Sequence, residues 1–99
     1  MMELAFHPDA ATEYRAAAEH YVAIQPELGM RFTFEVESAI ARVLDAPERW
    51  PLIEQDVRRC LTHTFPYAVL YTSDAGRVLI LAVMHCAREP GYWRGRASP

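Results

Sequence analysis

The chain has 99 residues, of which 52% are hydrophobic and 23% are charged, a composition typical of one globular domain and not of a disordered protein. The net charge of −3 argues against a general nucleic-acid-binding protein. The N-terminal MMELAFHPDAATEY has no basic start, and the apolar run VLILAVM is far shorter than the roughly 20 residues of a membrane helix. We therefore expect a cytoplasmic protein without membrane contact, in which Cys60 and Cys86 are reduced.

Charge is distributed unevenly along the chain. Residues 1–49 contain four arginines and nine acidic residues, for −5, whereas residues 50–99 contain six arginines and four acidic residues, for +2. All ten basic residues are arginine, and arginine makes planar, bidentate contacts with phosphate or carboxylate groups. A high-GC genome would also enrich arginine, but codon usage does not explain why the sign changes halfway along the chain.

The N-terminal residues predict a strand followed by a helix. MELAF is a mostly apolar start that suits a strand. Pro8 and Asp9 suit the first helical turn, where proline loses no hydrogen bond and aspartate faces the positive helix end. Apolar residues then recur at the spacing of a helical stripe. They are Tyr14, Tyr21 and Ile24, with Ala17 and Ala18 between them.

A second helix is predicted from Pro26, which interrupts the first pattern and restarts it. Its apolar residues repeat every three or four positions. They are Phe32, Val36, Ile40 and Val43. Pro47 should stop this helix near Ala46. Two helices joined this tightly predict a helical hairpin.

The periodicity changes after the loop ERWPLIEQD. Three segments rich in β-branched and aromatic residues predict strands, and SDAG between the last two suits a hairpin loop. They are VRRCLTH (57–63), YAVLYT (67–72) and RVLILAVMH (77–85). The third is apolar on both faces, so it should lie inside the sheet. The predicted fold class is α+β, a β-α-α-β-β-β chain with an antiparallel sheet and the N-terminal helical hairpin on one face.

The sequence contains no motif for a metal, a nucleotide or an activated nucleophile. His63 and His85 are far apart, as are Cys60 and Cys86, and no CxxC, HxxxH or HExxH pattern occurs, whereas zinc needs about four closely spaced ligands. GxxxxGK[ST] and GxGxxG are also absent. We predict no cofactor and no metal.

A set of basic and aromatic residues remains in the second half of the chain. Its members are Arg58, Arg59, His63, His85, Arg88, Tyr92, Arg94 and Arg96. If they share a face, histidine and arginine could supply the base, the acid and the cations for metal-independent phosphodiester cleavage. Alternatively, each arginine makes a surface ion pair with Glu54, Asp56 or Glu89, while Tyr92 and Trp93 pack the C-terminus onto the sheet. Strand alternation places Arg58 and Arg59 on opposite faces, so one of them should point away from the helices.

The order of the elements and two segments resemble the RelE/ParE superfamily, the toxins of type II toxin–antitoxin modules, often called plasmid stabilisation proteins. The segments are RRCLTHTFPYAVLY (58–71) and ILAVMHCAREPGYWRGR (80–96). The resemblance covers nearly the whole chain and implies a single toxin domain over residues 1–99. It also implies a small bacterial protein that inhibits growth and is neutralised by a cognate antitoxin encoded nearby.

The resemblance implies one of two cellular targets. RelE-like toxins cleave mRNA in the ribosome, whereas ParE-like toxins inhibit DNA gyrase and are not nucleases. RelE-like ribonucleases usually carry an arginine directly after the tyrosine that opens the central hairpin strand, and they use lysines against ribosomal RNA. Here that pair is Tyr67-Ala68, and the chain has no lysine. These departures favour the ParE-like branch, acting by binding, and leave open whether the protein is an enzyme.

The resemblance also suggests roles for the basic and aromatic residues. If the protein is a ribosome-associated mRNA endoribonuclease, the candidate catalytic residues are His85, Arg88 and Tyr92. The candidates for binding the target or the antitoxin are Arg58, Arg59, His63, Arg94 and Arg96. For the antitoxin we expect the face of Arg58, Arg59 and Arg88, with an apolar groove along the helical hairpin as the alternative. A third hypothesis is a domain of this fold that is not toxic and only binds its partner.

Overall fold

The structure contains the two helices and the four strands that the sequence predicts, in the predicted order, and one additional strand. The computed structural model describes residues 2–97. The elements are β1 (Glu3–Phe6), α1 (Pro8–Ile24), α2 (Pro26–Asp45), β2 (Leu52–Glu54), β3 (Val57–Leu61), β4 (Tyr67–Asp74) and β5 (Arg77–His85), followed by a 3₁₀ turn at Arg94–Arg96. This arrangement confirms the predicted α+β class, with an N-terminal helical hairpin packed on a sheet.

Both helices begin where the sequence predicts. Pro8 opens α1, and the Nδ1 atom of His7 accepts a hydrogen bond from the Asp9 N–H at 3.1 Å, which satisfies one of the free donors at the helix start. A single residue, Gln25, separates α1 from α2. The helices approach closely at Gly29, where a Cβ atom would lie 2.1 Å from Cγ2 of Val22. The hairpin therefore needs a residue without a side chain at this position.

The sheet has the strand order β1-β5-β4-β3-β2. Neighbouring strands are antiparallel, except that β1 runs parallel to β5, so the sheet is mixed and not wholly antiparallel as predicted. The helical hairpin supplies the crossover that a parallel pair requires. β2 lies in the segment predicted as a loop; with three residues it is too short to produce a periodic pattern.

Each face of the sheet has its own apolar cluster. The helix-side cluster contains Tyr71, Ile80 and Cys60 of the strands together with α2. The α2 residues predicted as its apolar stripe are all buried: Phe32, Val36, Ile40 and Val43. The stripe prediction for α1 was wrong at Ile24, which is 62% exposed because it is the last residue of the helix and extends beyond the packed part of the hairpin.

The opposite face of the sheet, here called the helix-free face, is covered in part by the chain's own C-terminus. Trp93 packs there with Leu70 and Leu81 and is only 4% exposed. Tyr92 lies against the same cluster. The prediction that these two aromatic residues pack the C-terminus onto the sheet is confirmed.

Candidate functional site

The C-terminal tail, residues 86–97, turns back onto the sheet after β5. Gly91 has a φ of 78°, in the left-handed region that glycine adopts without strain. The guanidinium carbon of Arg88 lies 3.9 Å from the ring centroid of Tyr92, and that of Arg96 lies 5.1 Å from it. The tail therefore places two cations within reach of the Tyr92 ring, a geometry that favours cation–π attraction.

The hydroxyl group of Tyr92 is not open to solvent. It is buried and has no hydrogen-bond partner among residues 2–97. Burial, together with the nearby Glu13 carboxylate, raises the pKa of Tyr92 to about 12. The phenol is therefore protonated at neutral pH, and its oxygen is not exposed to a substrate.

Glu13 and Arg96 cover half of one edge of β5. β1 pairs with β5 along residues 77–80 only, so within residues 2–97 no strand lies beside the backbone from Leu81 onward on that side. Glu13 accepts a hydrogen bond from the Val83 N–H at 3.1 Å, and Arg96 donates one to the Leu81 carbonyl oxygen at 3.0 Å. The two side chains also form an ion pair, with Nη2 and Oε2 2.9 Å apart. This ion pair ties the tail to α1.

Arg94 ties the tail to the other edge of the sheet. Its Nε and Nη2 atoms donate to the two carboxylate oxygens of Glu54, at 2.6 and 2.8 Å, and Glu54 ends the edge strand β2. Arg94 and Arg96, both predicted to bind a target or antitoxin, are thus engaged in ion pairs within the chain. Of the carboxylates that the alternative interpretation offered as partners, Glu54 forms such a pair.

Two of the three candidate catalytic residues line one pocket. His85, at the end of β5, accepts the Ala87 N–H on Nδ1 at 3.0 Å, which places the proton of the neutral ring on Nε2. The His85 ring also packs edge-on against Tyr67, with centroids 5.2 Å apart. His85, Arg88 and His20 of α1 line a pocket of about 300 Å³, here called the histidine pocket, whose lining does not include Tyr92.

Arg58 and Arg59 lie on opposite faces of β3, as alternation requires. Arg58 is opposite Tyr71 of the helix-side cluster and donates from Nη1 to the Trp50 carbonyl oxygen at 2.6 Å. Arg59 is opposite Leu70, which belongs to the cluster on the helix-free face. Arg88 lies beyond β5, two strands away. The three arginines predicted as an antitoxin-binding face therefore do not share one face.

Sequence reasoning missed a cationic cavity beside Trp50, here called the Trp50 cavity. It has a volume of about 400 Å³. Its lining consists of Arg42, Trp50, Pro51, Arg59, Leu61, Thr62 and His63. Trp50 stands in a loop, where no periodic pattern identifies a contact, and the only sequence signal was its position beside Arg49. The structure thus brings His63 and Arg59 together with Arg42 of α2.

An apolar groove runs between the two helices and β1, here called the helical groove. It has a volume of about 430 Å³. Its lining consists of Phe6, Ala11, Tyr14, Arg15, Ala18, Thr33 and Glu37. The hydroxyl of Tyr14 donates to Oε2 of Glu37 at 2.8 Å, and burial, followed by this carboxylate, raises the pKa of Tyr14 well above its usual value. The groove therefore has an apolar floor and charged groups at its margin.

The described part of the chain contains neither a metal-binding cluster nor a membrane-spanning helix. Within residues 2–97, no three histidine, cysteine, aspartate or glutamate side chains come together in a way that could hold a metal ion. Over the same residues, no helix is both long and apolar enough to cross a membrane. Cys60 is buried, Cys86 is exposed, and both are free thiols.

Comparisons with known proteins agree with the observed fold. A search of the curated proteins finds no significant match. The solved structure of the chromosomal ParDE TA system from P. aeruginosa is similar, with a TM-score of 0.74 and 19% sequence identity, over 86% of this chain and 96% of that one. At this identity the likeness shows the fold alone. The family model described as the ParE toxin of the type II toxin–antitoxin system, parDE, matches residues 4–90, which is most of the chain. The protein therefore belongs to the ParE toxin family of type II toxin–antitoxin systems.

Proposed function

We propose that this toxin inhibits growth by binding a cellular target, with DNA gyrase as the candidate, and that a cognate antitoxin neutralises it. The observation that favours binding over catalysis is the position of Tyr92. Its hydroxyl is buried and its ring is contacted by the guanidinium groups of Arg88 and Arg96, whereas a general acid or base must reach the proton that it transfers. The family match over residues 4–90 supports the same conclusion.

A second candidate function, mRNA cleavage, is favoured by the histidine pocket. Its lining places His85 and Arg88 close to His20. An imidazole could take the 2′-hydroxyl proton and a guanidinium could stabilise the charge that develops on the phosphate. This mechanism would have to proceed without the acid or base that Tyr92 was predicted to supply. It predicts that toxicity depends on His85 and Arg88, whereas the binding hypothesis does not.

Induction of the toxin in a bacterial host separates the two functions. Under the binding hypothesis, DNA supercoiling changes and the SOS response rises while mRNA remains intact, and a His85→Ala, Arg88→Ala double variant stays toxic. Rapid loss of mRNA that the double variant abolishes would instead establish the nuclease. Normal growth at full expression would identify a domain that only binds its partner.

For the antitoxin, the helical groove is the docking site that we propose. Its apolar floor, formed by Phe6, Ala11 and Ala18, suits the apolar face of an amphipathic helix. Arg15 and Glu37 at its margin could pair with charges on the same helix. The alternative surface, comprising Arg58, Arg59 and Arg88, is divided between faces of the sheet.

Two alanines of α1 provide a matched test with the antitoxin encoded beside the toxin. Ala18 lines the helical groove, whereas Ala23 is exposed and outside its lining. We expect Ala18→Glu to abolish complex formation in a pull-down and Ala23→Glu to leave it unchanged. If Ala18→Glu still binds while charge reversal at Arg58 and Arg59 prevents binding, the arginine surface is the docking site.

A further inference from the structure

The Trp50 cavity gathers positive charge that no carboxylate of the described chain neutralises. Arg42 and Arg59 contribute guanidinium groups to its lining, and His63 contributes an imidazole. Within residues 2–97, no aspartate or glutamate belongs to the lining, and neither arginine has a carboxylate within 4.0 Å. In a chain of net charge −3, a concave group of unpaired cations favours an anionic ligand.

Contacts to Trp50 and to β3 fix the position of Arg42. Its guanidinium carbon lies 5.6 Å from the centroid of the Trp50 ring, and Nε1 of Trp50 donates to the Arg42 carbonyl oxygen at 3.3 Å. Nη2 of Arg42 also makes a long hydrogen bond of 3.4 Å to the Leu61 carbonyl oxygen. Because a guanidinium group has five N–H donors, Arg42 is held in place and still has donors left for a ligand.

A backbone N–H group adds a further donor to the cavity. The pairing of β2 with β3 ends before Leu61, so within residues 2–97 no strand covers that edge of β3 at Leu61. The Thr62 N–H donates toward β4, to the Tyr67 carbonyl oxygen at 3.0 Å, whereas the Arg59 N–H donates outward, to the Pro51 carbonyl oxygen at 3.1 Å. Because these directions alternate along a strand, the Leu61 N–H also points outward. Pro51 and Leu61 both line the cavity, so this N–H lies on the cavity side of the strand.

The kinds of donor in the cavity match a phosphate group better than a carboxylate. They belong to α2, to the side chains at the end of β3 and to the β3 backbone, so they reach the ligand from several directions. A phosphate group carries up to about two negative charges at neutral pH, and its oxygens can accept several charge-assisted hydrogen bonds at once. A carboxylate carries one charge on two oxygens. Separate cations around one cavity therefore suit phosphate.

The cavity favours a small phosphate compound over a nucleic-acid strand. Proteins that bind single strands combine a basic groove along the backbone with aromatic rings on which the bases stack. Here the unpaired cations converge on one cavity of about 400 Å³. The Trp50 ring already contacts two guanidinium groups, those of Arg42 and Arg49, the latter 5.4 Å from the centroid, so it is poorly placed to stack on a base. A volume of this size is typical of a small-molecule site.

We infer that the Trp50 cavity is a binding site for a small phosphate compound, either a phosphate monoester or a diphosphate. The phosphate oxygens would accept hydrogen bonds from the guanidinium groups of Arg42 and Arg59 and from the Leu61 N–H. His63 would add a further donor, and the apolar Pro51 would border the rest of the ligand. The site shares no lining residue with the helical groove or the histidine pocket, and it does not depend on the identity of the cellular target.

Isothermal titration calorimetry of the full chain with inorganic pyrophosphate at low salt tests the inference. Arg59 and Arg31 are both exposed arginines, but only Arg59 lines the cavity. We expect Arg59→Gln to weaken binding about tenfold or more, because a charge-assisted hydrogen bond is lost, and Arg31→Gln to leave it unchanged. Equal affinity of the two variants, or a parent chain that does not bind pyrophosphate, would overturn the inference.

Two further measurements separate phosphate recognition from general attraction of anions. Citrate, which carries its negative charge on carboxylates, should bind at least about tenfold more weakly than pyrophosphate. The amide resonance of Leu61 should shift when pyrophosphate is added to the parent or to Arg31→Gln. Equal affinity for citrate, or an unshifted Leu61 amide, would show that the phosphate assignment is wrong. If a short oligothymidylate binds through Arg59 while pyrophosphate does not, the cavity is a nucleic-acid site and the inference fails.

Discussion

Tyr71, which is fully buried, and Tyr92, which is partly buried, differ in whether the hydroxyl is hydrogen-bonded. The Tyr71 hydroxyl donates to the Pro47 carbonyl oxygen at 2.6 Å, whereas that of Tyr92 has no partner within residues 2–97. Burial raises the pKa of both to about 12, so both are protonated across the neutral range. Both hydroxyls lose contact with water on burial. Within the described residues, only the Tyr71 hydroxyl gains a hydrogen bond that offsets this loss of hydration.

The same substitution should therefore have opposite consequences at the two positions. Tyr71→Phe removes a satisfied hydrogen bond and should lower the free energy of unfolding by about 1 kcal/mol. Tyr92→Phe removes an unpaired polar group and should leave stability unchanged or increase it. Urea denaturation of both variants measures the difference, and a larger loss for Tyr92→Phe would mean that its hydroxyl is bonded after all.

For single residues, sequence reasoning succeeded where one short local pattern determines whether the side chain is buried. Phe32 and Val36 could be assigned to the core because helical periodicity alone places them there. The partner of Arg94 could not be assigned, because Glu54 is 40 residues away along the chain and reaches it only through the folding of the tail. Local patterns predict burial, whereas pairing between charges depends on tertiary geometry.

At the scale of the elements, the edge of β5 is closed partly by a strand and partly by side chains. β1 covers the first half, and the ion pair between Glu13 and Arg96 covers the second. Both side chains are mostly buried, at 16% and 15% exposure. Inward-facing charges at a sheet edge oppose pairing with other chains, so this ion pair protects the edge as well as fastening the tail.

Glu13→Ala should consequently affect both stability and association. Removing the carboxylate leaves the largely buried Arg96 with only a longer ion pair, 3.8 Å, to the exposed Asp9 carboxylate, and we expect a loss of about 2–4 kcal/mol in the free energy of unfolding. Glu3→Ala is the matched control, because Glu3 pairs with Arg77 at 3.6 Å on an exposed surface, where a pair contributes less than about 1 kcal/mol. Analytical ultracentrifugation should also detect self-association of Glu13→Ala alone; equal effects of the two substitutions would refute this role for Glu13.

The existence of the main elements could be predicted, but not all of their pairing. The proline positions and the change from helical to strand periodicity give α1, α2 and the three last strands nearly residue by residue. The parallel pairing of β1 with β5 depends on how the hairpin crosses the sheet. The Trp50 cavity depends on α2, β3 and the loop between them meeting in space, which no single segment specifies.

At the scale of the whole molecule, the C-terminal tail joins opposite edges of the sheet. Arg96 fastens it to α1 beside β5, Trp93 packs on the helix-free face, and Arg94 fastens it to β2. Another carboxylate, that of Glu35 of α2, accepts hydrogen bonds from the backbone N–H groups of Thr64, at 2.7 Å, and Phe65, at 3.4 Å, in the turn before β4. Carboxylates thus connect distant parts of the chain on both sides of the sheet.

These carboxylates should make the fold sensitive to acid. The hydrogen bond and charge of Arg94 lower the pKa of Glu54 below its usual 4.5. At Glu35, burial raises the pKa, but the hydrogen bonds from Thr64 and its neighbours outweigh burial, so the pKa is lowered. Because each pKa is lower in the folded than in the unfolded protein, each group stabilises the fold fully above pH 4.5, and this contribution is lost as the pH falls through the folded-state pKa.

The free energy of unfolding should therefore decrease as the pH falls from about 5 toward 3. Urea denaturation at a series of pH values measures this slope. Glu54→Gln and Glu35→Gln remove one titrating group each, so each should flatten the slope, and Arg94→Gln should reproduce the effect of Glu54→Gln because it restores the usual pKa of that carboxylate. A Glu54→Gln variant with the full acid sensitivity of the parent would show that the tail is not held by this ion pair in solution. The combined Glu54→Gln, Arg94→Gln variant should be no flatter than either single variant, since both substitutions remove the same interaction.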